Sequence, residues 1–185
     1  MRILAISGSL RGNSSCTSVL RAAATLAPAD IEVVFYEGLG DLPHFHPDVD
    51  PDRGPAPVEE FRAALRSADG VLICTPEYAY GMPGVLKNAI EWTVSTGELV
   101  HKPLAALSAS PSPEGGVKAL RWLLETLSAL TAGVDPSRTL PVSMVRTKFG
   151  ARGEPTGPEA LAELAPVVRS LVEAMRSRVN DGEPR

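Results

Sequence analysis

Cysteine is scarce in this sequence: Cys16 and Cys74 are the only two among 185 residues. Two cysteines give no paired framework of the kind that staples small secreted domains. Positive charge has no surplus. Lysine and arginine total 18 against 22 aspartates and glutamates, for a formal net charge of −4. Such a chain has little with which to neutralise a phosphate backbone, which argues against nucleic acid as a partner. Long hydrophobic runs are missing too: nothing approaches the roughly 20 apolar residues that cross a bilayer. The opening MRILAISGSL reaches Gly8 and Ser9 after a few apolar or small residues, too short for the core of a secretory leader. A soluble, cytoplasmic protein without membrane contact is expected.

What is present suits a globular fold: 44% hydrophobic and 22% charged residues. The length fits one domain, expected over residues 1–179, with a short flexible tail at 180–185. A domain of this size buries roughly 70% of the surface its unfolded chain exposes, so no disulfide or metal staple is needed.

Along the chain, short apolar runs alternate with helical periodicity. Strands are expected at Ile3–Ile6, Ile31–Tyr36, Val71–Thr75, Leu104–Ser108 and Leu140–Val145. Helices are expected at Thr17–Leu26, Val58–Ala68, Val85–Val94, Val117–Thr131 and Glu159–Arg178, with Pro166 bending or breaking the last. Glu37–Pro57, rich in proline, glycine and aspartate, reads as a long loop. Repeated β-α units imply a parallel sheet covered on both faces. Five of them match an α/β, doubly wound, flavodoxin-like three-layer fold with strand order 2-1-3-4-5. Ligands in such folds sit beyond the carboxyl ends of the strands.

Two loops there carry chemistry. The first, Gly8-Ser9-Leu10-Arg11-Gly12-Asn13-Ser14-Ser15-Cys16-Thr17, brings hydroxyls, a guanidinium and a helix amino end to one place. That set suits a phosphate. Plain helix capping by the serines is the simpler alternative. The spacing is neither a G-x-G-x-x-G dinucleotide fingerprint nor a P-loop. Cys16 to Arg21 falls one residue short of the Cys-x5-Arg loop of small tyrosine phosphatases, so phosphatase chemistry is a lesser reading. The second loop, Thr75-Pro76-Glu77-Tyr78-Ala79-Tyr80-Gly81-Met82-Pro83-Gly84, has two prolines and two glycines that fix an irregular backbone. Its N–H groups can bond the edge of a planar ring.

GSLRGNSSCTSVLR and TPEYAYGMPGVLKNAIEW resemble the two signatures of the flavodoxin-like NADPH-dependent FMN reductases, a group that includes quinone and chromate reductases. The resemblance extends to YEGLGDLPHFHPD and to Gly115-Gly116. It implies bound FMN, NADPH (or NADH) as hydride donor, a small acceptor such as a flavin or quinone, and a homodimer or homotetramer. Carried over by position, Ser9, Arg11, Ser14, Ser15, Cys16 and Thr17 surround the FMN phosphate. Pro76, Glu77, Tyr78, Ala79 and Gly81 border the isoalloxazine, and Ser110 closes the far side. Cys16 and Ala79 stand where many members carry asparagine. The third loop, from Ser108 to Gly116, lacks the expected Ser-x-Gly pattern.

With flavin chemistry no catalytic triad is expected. His44 and His46 lack a third partner for a metal. His101 reads as a surface residue, Cys74 as an inert core thiol, and Trp92 and Trp122 as packing or dimer contacts. Lys87 and Glu91 read as an i, i+4 pair. A quinone, azo or chromate reductase with the same site and a non-catalytic flavodoxin-type carrier remain as alternatives.

Overall fold

The computed structural model describes residues 1–49, 54–131, 133–150 and 152–181. Five strands are parallel and lie in the order 2-1-3-4-5. They are β1 (Arg2–Ser7), β2 (Glu32–Tyr36), β3 (Gly70–Thr75), β4 (Leu104–Ala109) and β5 (Thr139–Val142). The helices are α1 (Ser15–Ala24), α2 (Ala56–Ser67), α3 (Gly84–Glu91), α4 (Val117–Ser128), α5 (Val145–Lys148) and α6 (Pro158–Asn180).

Side chains alternate across the sheet because successive Cβ atoms on a strand point to opposite faces. Ile3, Ala5, Leu72, Cys74, Ala105 and Leu107 face α1 and α6. Leu4, Ile6, Val71, Ile73, Leu104 and Ala106 face the other way, toward α2, α3 and α4. Both faces of β3 and β4 are buried along their whole length, which is why these strands read as unbroken apolar runs. This is the flavodoxin-like architecture expected from the β-α alternation.

Several expectations need correction. The last strand stops at Val142 instead of Val145. Met144 then takes a positive φ of 49° and the chain turns into α5, a helix the apolar run Met144-Val145 concealed. The third and fourth helices end earlier than their periodicity suggests, at Glu91 and Ser128. Pro166 neither ends nor divides α6, which runs on through it. Pro166 and Ala162 both face solvent, so the carbonyl that loses its N–H partner is open to water. In the expected loop 37–57 a 3-10 turn forms at Gly38–Asp41, and residues 50–53 lie outside the described residues. Most of the expected tail, 182–185, lies outside them as well, while Asn180 still belongs to α6.

Tyr36, at the end of β2, packs its ring on Phe61 with centroids 4.9 Å apart. Burial, with Glu60 and Asp41 nearby, pushes its phenol up to about 12. An unfolded tyrosine ionises near 10. The fold therefore favours the neutral phenol, and this stabilisation, complete below pH ~10, is lost as pH rises toward 12. Urea midpoints are expected to fall across that window in the native protein and to fall less in Tyr36→Phe.

Candidate active site

The loop after β1 folds on its own hydroxyls. Ser14 is the N-cap of α1; its Oγ accepts the Cys16 N–H at 3.2 Å, and its carbonyl accepts the Ser18 N–H. Capping by serine, the simpler reading of this loop, is therefore real. It satisfies one first-turn donor and leaves Ser15 and Thr17 N–H without helical acceptors, since a helix start orphans its first N–H groups. Ser9 Oγ accepts the Arg11 N–H at 3.3 Å, and Thr17 Oγ1 donates to Ser7 Oγ at 3.2 Å. Arg11 is exposed beside a shallow cleft with Ser9, Ser14, Ser15 and Cys16.

Cys16 departs from the phosphatase reading. Its side chain is 1% exposed and belongs to the core. It hydrogen-bonds Cys74, whose thiol burial pushes well above its ordinary value. A thiol turned into the core cannot attack a substrate in the cleft. Cys74 is the inert core thiol expected.

The loop after β3 is a tight hairpin. Tyr78 N–H donates to the Gly81 carbonyl at 2.9 Å, and Gly81 N–H donates to the Tyr78 carbonyl at 3.0 Å. Ala79 and Tyr80 between them both have positive φ, 49° and 63°. That is a type I′ turn, which favours Asn-Gly because side chains with a Cβ are strained there. Ala79→Gly is expected to raise stability by about 0.5–1 kcal/mol, the relief of a left-handed Cβ less the added chain entropy of glycine. Thermal unfolding should then shift upward by roughly 1–4 °C; a lower Tm would mean the alanine methyl is held by contacts worth more than the strain.

Three groups on α4 brace this turn. Glu77 accepts the N–H groups of Lys118 and Ala119, at 3.1 and 3.2 Å, through one carboxylate oxygen. Lys118 Nζ lies 3.5 Å from the centroid of the Tyr80 ring. Trp122 stands against Gly81, where an added Cβ would meet its ring at 3.2 Å. The Glu77 side chain thus caps a helix distant in sequence, a pairing that no local pattern records. Ser9 Oγ and Tyr78 Oη are 3.2 Å apart and join the first loop to the second.

The third loop closes the arrangement. Ser108 Oγ donates to the Gly115 carbonyl at 2.7 Å, Ser110 N–H donates to the Val142 carbonyl, and the Ser110 carbonyl accepts the Val145 N–H. These bonds draw α5 toward the cleft and bring in Arg146, which lines it with Ser9, Arg11, Ser14, Ser15, Pro76, Glu77, Tyr78 and Ser110. Arg146 directly follows the expected last strand, Leu140–Val145, and only the turn into α5 brings it to the cleft. The structure thus gathers the first-loop residues, Pro76, Glu77, Tyr78 and Ser110, and adds a second guanidinium. Thr17 lines a neighbouring cleft of about 390 Å³ on the β2 side, while Ala79 and Gly81 form the outer edge of the hairpin. An adjoining cleft of about 510 Å³ is mostly apolar, lined by Leu10, Tyr78, Met82, Pro83 and Val85, with Arg11 the one charged side chain.

Residues of the TPEYAYGMPGVLKNAIEW segment beyond the hairpin are structural. Asn88 accepts the Phe45 N–H and donates to the Pro43 carbonyl, and Trp92 Nε1 donates to that same carbonyl at 2.9 Å. They fasten the long loop to α3. Trp92 is buried, as packing predicts, and Trp122 is exposed. Lys87 and Glu91 pair along α3. His44, His46 and His101 are exposed. A cleft of about 540 Å³ lies at the other end of the sheet, away from these loops. There Arg66 is paired with Glu98 and Lys102 donates to the Ala68 carbonyl.

A parallel five-stranded sheet with hydroxyls, a helix start and two arginines grouped beside a rigid aromatic hairpin defines a flavodoxin-like, nucleotide-binding protein. A family model described as NADPH-dependent FMN reductase matches residues 1–146. The chain is 36% identical over 155 residues to a NAD(P)H-dependent FMN reductase of Pseudomonas aeruginosa, covering 83% of each chain. It is 38% identical over 136 residues to a quinone reductase of Escherichia coli, covering 70% of this chain and 72% of that one. FerB, a flavoenzyme NAD(P)H:(acceptor) oxidoreductase from Paracoccus denitrificans, superposes with a TM-score of 0.81 at 26% identity, over 95% of this chain and 97% of that one. The chain belongs to the NADPH-dependent FMN reductase family, flavin oxidoreductases that draw on NAD(P)H.

Proposed function

We propose that residues 1–179 act as one domain that holds FMN between the first and second loops and reduces a small acceptor with NAD(P)H. The observation that carries this reading is the convergence on one cleft of Arg11, Arg146, the serines of the first loop and the hairpin that Ser9 touches at Tyr78. Two guanidiniums, several hydroxyls and free N–H groups at the α1 start are the donor set a phosphate dianion needs.

Ser9, Arg11, Ser14, Ser15 and Thr17, with the main chain of Cys16, hold the phosphate, and Arg146 joins them. Pro76, Glu77, Tyr78, Ala79 and Gly81 border the ring edge, to which the Glu77 and Ala79 N–H groups are offered because Pro76 has none and those of Tyr78 and Gly81 are spent in the hairpin, and Ser110 bounds the far side. When bound, FMN would supply two-electron redox chemistry between NAD(P)H and the acceptor. The chain's own contribution is positioning. The hairpin keeps its shape because Glu77 and Trp122 tie it to α4, and donors fixed in advance need no reorganisation during reaction.

Among the described residues no helix is long and apolar enough to cross a membrane. A cytoplasmic homodimer or homotetramer fits the family and this composition. The cleft of Leu10, Met82 and Val85 beside Tyr78, with Arg11 at its edge, suits a flat acceptor such as a quinone or a flavin ring.

An absorbance spectrum of the purified protein, before and after adding NADPH, tests the reading. Flavin bands that bleach on NADPH without any partner protein are expected, which also removes the electron-carrier alternative. A colourless protein that gains no affinity for added FMN overturns it. Turnover with quinones against free FMN then separates the two acceptor classes.

A further inference from the structure

We infer that the cleft between α1 and the end of β2 takes the adenylate half of a flavin dinucleotide, so that the protein binds FAD as well as FMN. The inference rests on the proposed FMN site and deepens it.

Thr17 does not line the cleft that holds Ser14 and Ser15. It lines the neighbouring one of about 390 Å³, together with Ser7, Arg11, Arg21, Phe35 and Glu37. Ser9 and Arg11 border both clefts. A group bonded to a phosphate in the first cleft therefore has only to pass Arg11 to enter the second. FMN ends at its phosphate and has no use for Arg21 or Glu37.

The second cleft carries what an adenylate needs. Arg21 stands four residues after Thr17 on α1, a spacing that puts both on one helix face. A basic residue in the last turn also suits the helix dipole, but that role does not require it to line a cleft with Arg11. The stem of Arg21 is packed by Gly153, where an added Cβ would lie 2.7 Å from the Arg21 Cβ. Two guanidiniums in one cleft match the two phosphates of a pyrophosphate. Phe35, half-buried near the end of β2, supplies a ring against which a base can lie. Glu37 directly follows β2 and is exposed. An acidic side chain about 20 residues past the first turn of a parallel α/β sheet is placed to accept hydrogen bonds from an adenosine ribose.

Arg11, Arg21 and Glu37 make no ion pair among the described residues. Opposite charges thus line one cleft without neutralising each other, and each is left for a ligand that carries both phosphate and hydroxyls. The cleft on the other side of Arg11 offers no second cation and no carboxylate. A tail with a second phosphate has no partner there. Free AMP and the pyridine nucleotides carry the same adenylate. FAD is the carrier this geometry favours, because its adenylate is bonded to the phosphate that the cradle would hold.

The test equilibrates the purified full chain with mixtures of FMN and FAD. Bound flavins are released and separated by chromatography, which gives the ratio of the two dissociation constants. FMN alone is titrated as a control, and thermal unfolding is followed alongside. The native protein is expected to take up FAD at least as well as FMN. Arg21→Met is expected to shift the ratio roughly 10-fold toward FMN, as loss of one charged hydrogen bond implies, with the constant for FMN unchanged. Glu37→Ala is expected to shift it the same way to a smaller degree. The inference is overturned if the native protein takes FMN over FAD by 10-fold or more, if neither variant moves the ratio, or if both flavins weaken alike. AMP and NAD+ are titrated separately into FMN-loaded protein. Binding of either that Arg21→Met abolishes would give the cleft to a separate nucleotide and overturn the assignment to FAD. A native protein that binds neither flavin sinks the underlying site instead.

Discussion

Replacing Arg11 and Arg146 together with alanine is expected to weaken FMN binding by roughly 3 kcal/mol or more, at least 100-fold in dissociation constant. Each charged hydrogen bond contributes about 1.5–3 kcal/mol, and each 1.4 kcal/mol is tenfold. The two guanidiniums line one cleft from unrelated elements, Arg11 from the loop after β1 and Arg146 from α5. Because they would grip the same phosphate, the single variants are expected not to sum to the double. Both side chains are exposed and make no ion pair among the described residues, so the fold should be untouched. Quenching of FMN fluorescence at fixed salt gives the dissociation constants, and thermal unfolding supplies the control. An unchanged constant in the double variant would show that neither arginine meets the phosphate.

Gly115→Ala is expected to destabilise the fold by about 3 kcal/mol. Gly115 has a φ of +66°, and a Cβ there would lie 2.9 Å from the Ser143 nitrogen and 3.0 Å from the Pro141 carbonyl. These are backbone atoms and cannot rotate away. A left-handed Cβ costs about 1–2 kcal/mol by itself, and forced backbone shifts add about 1–3. Thermal unfolding should drop by roughly 6–12 °C for a chain of this size. Gly116→Ala provides the contrast. Its φ is +80°, but its nearest neighbour, the Glu77 Cβ, is an ordinary 3.4 Å away. Only the backbone strain remains there, so about 1–2 kcal/mol is expected. Equal losses for the two variants would show that the contact with the Pro141–Ser143 backbone does not matter.

Much of the fold was legible because each strand is a short apolar run closed by a turn. Ile3–Ile6, Val71–Thr75 and Leu104–Ser108 lie within the observed strands β1, β3 and β4. The last strand was not, since Met144 and Val145 continue its apolar run while a left-handed turn at Met144 redirects the chain. Apolar character does not reveal a change of backbone direction. Pro166 misled for a related reason: its cost depends on whether the deprived carbonyl can reach water, which only its place on the helix decides.

The proposed phosphate cradle was the part of the site most open to sequence reasoning. Its hydroxyls, Arg11 and helix start are consecutive residues, so local chemistry alone groups them. The same reasoning gave Cys16 a role its thiol does not have, because which way the first helix turns depends on packing against β3 and its Cys74. Arg146, the Glu77 cap on α4, and Lys118 over Tyr80 belong to the tertiary structure entirely. These partners are separated by 38 residues or more along the chain. They meet because parallel strands deliver every β-to-α loop to the same end of the sheet, and no local pattern records which side chains then touch. Residue order alone carries the β-α alternation, the family and the grouping of the first-loop hydroxyls with Arg11 at a helix start. Only the folded sheet decided which distant groups complete it.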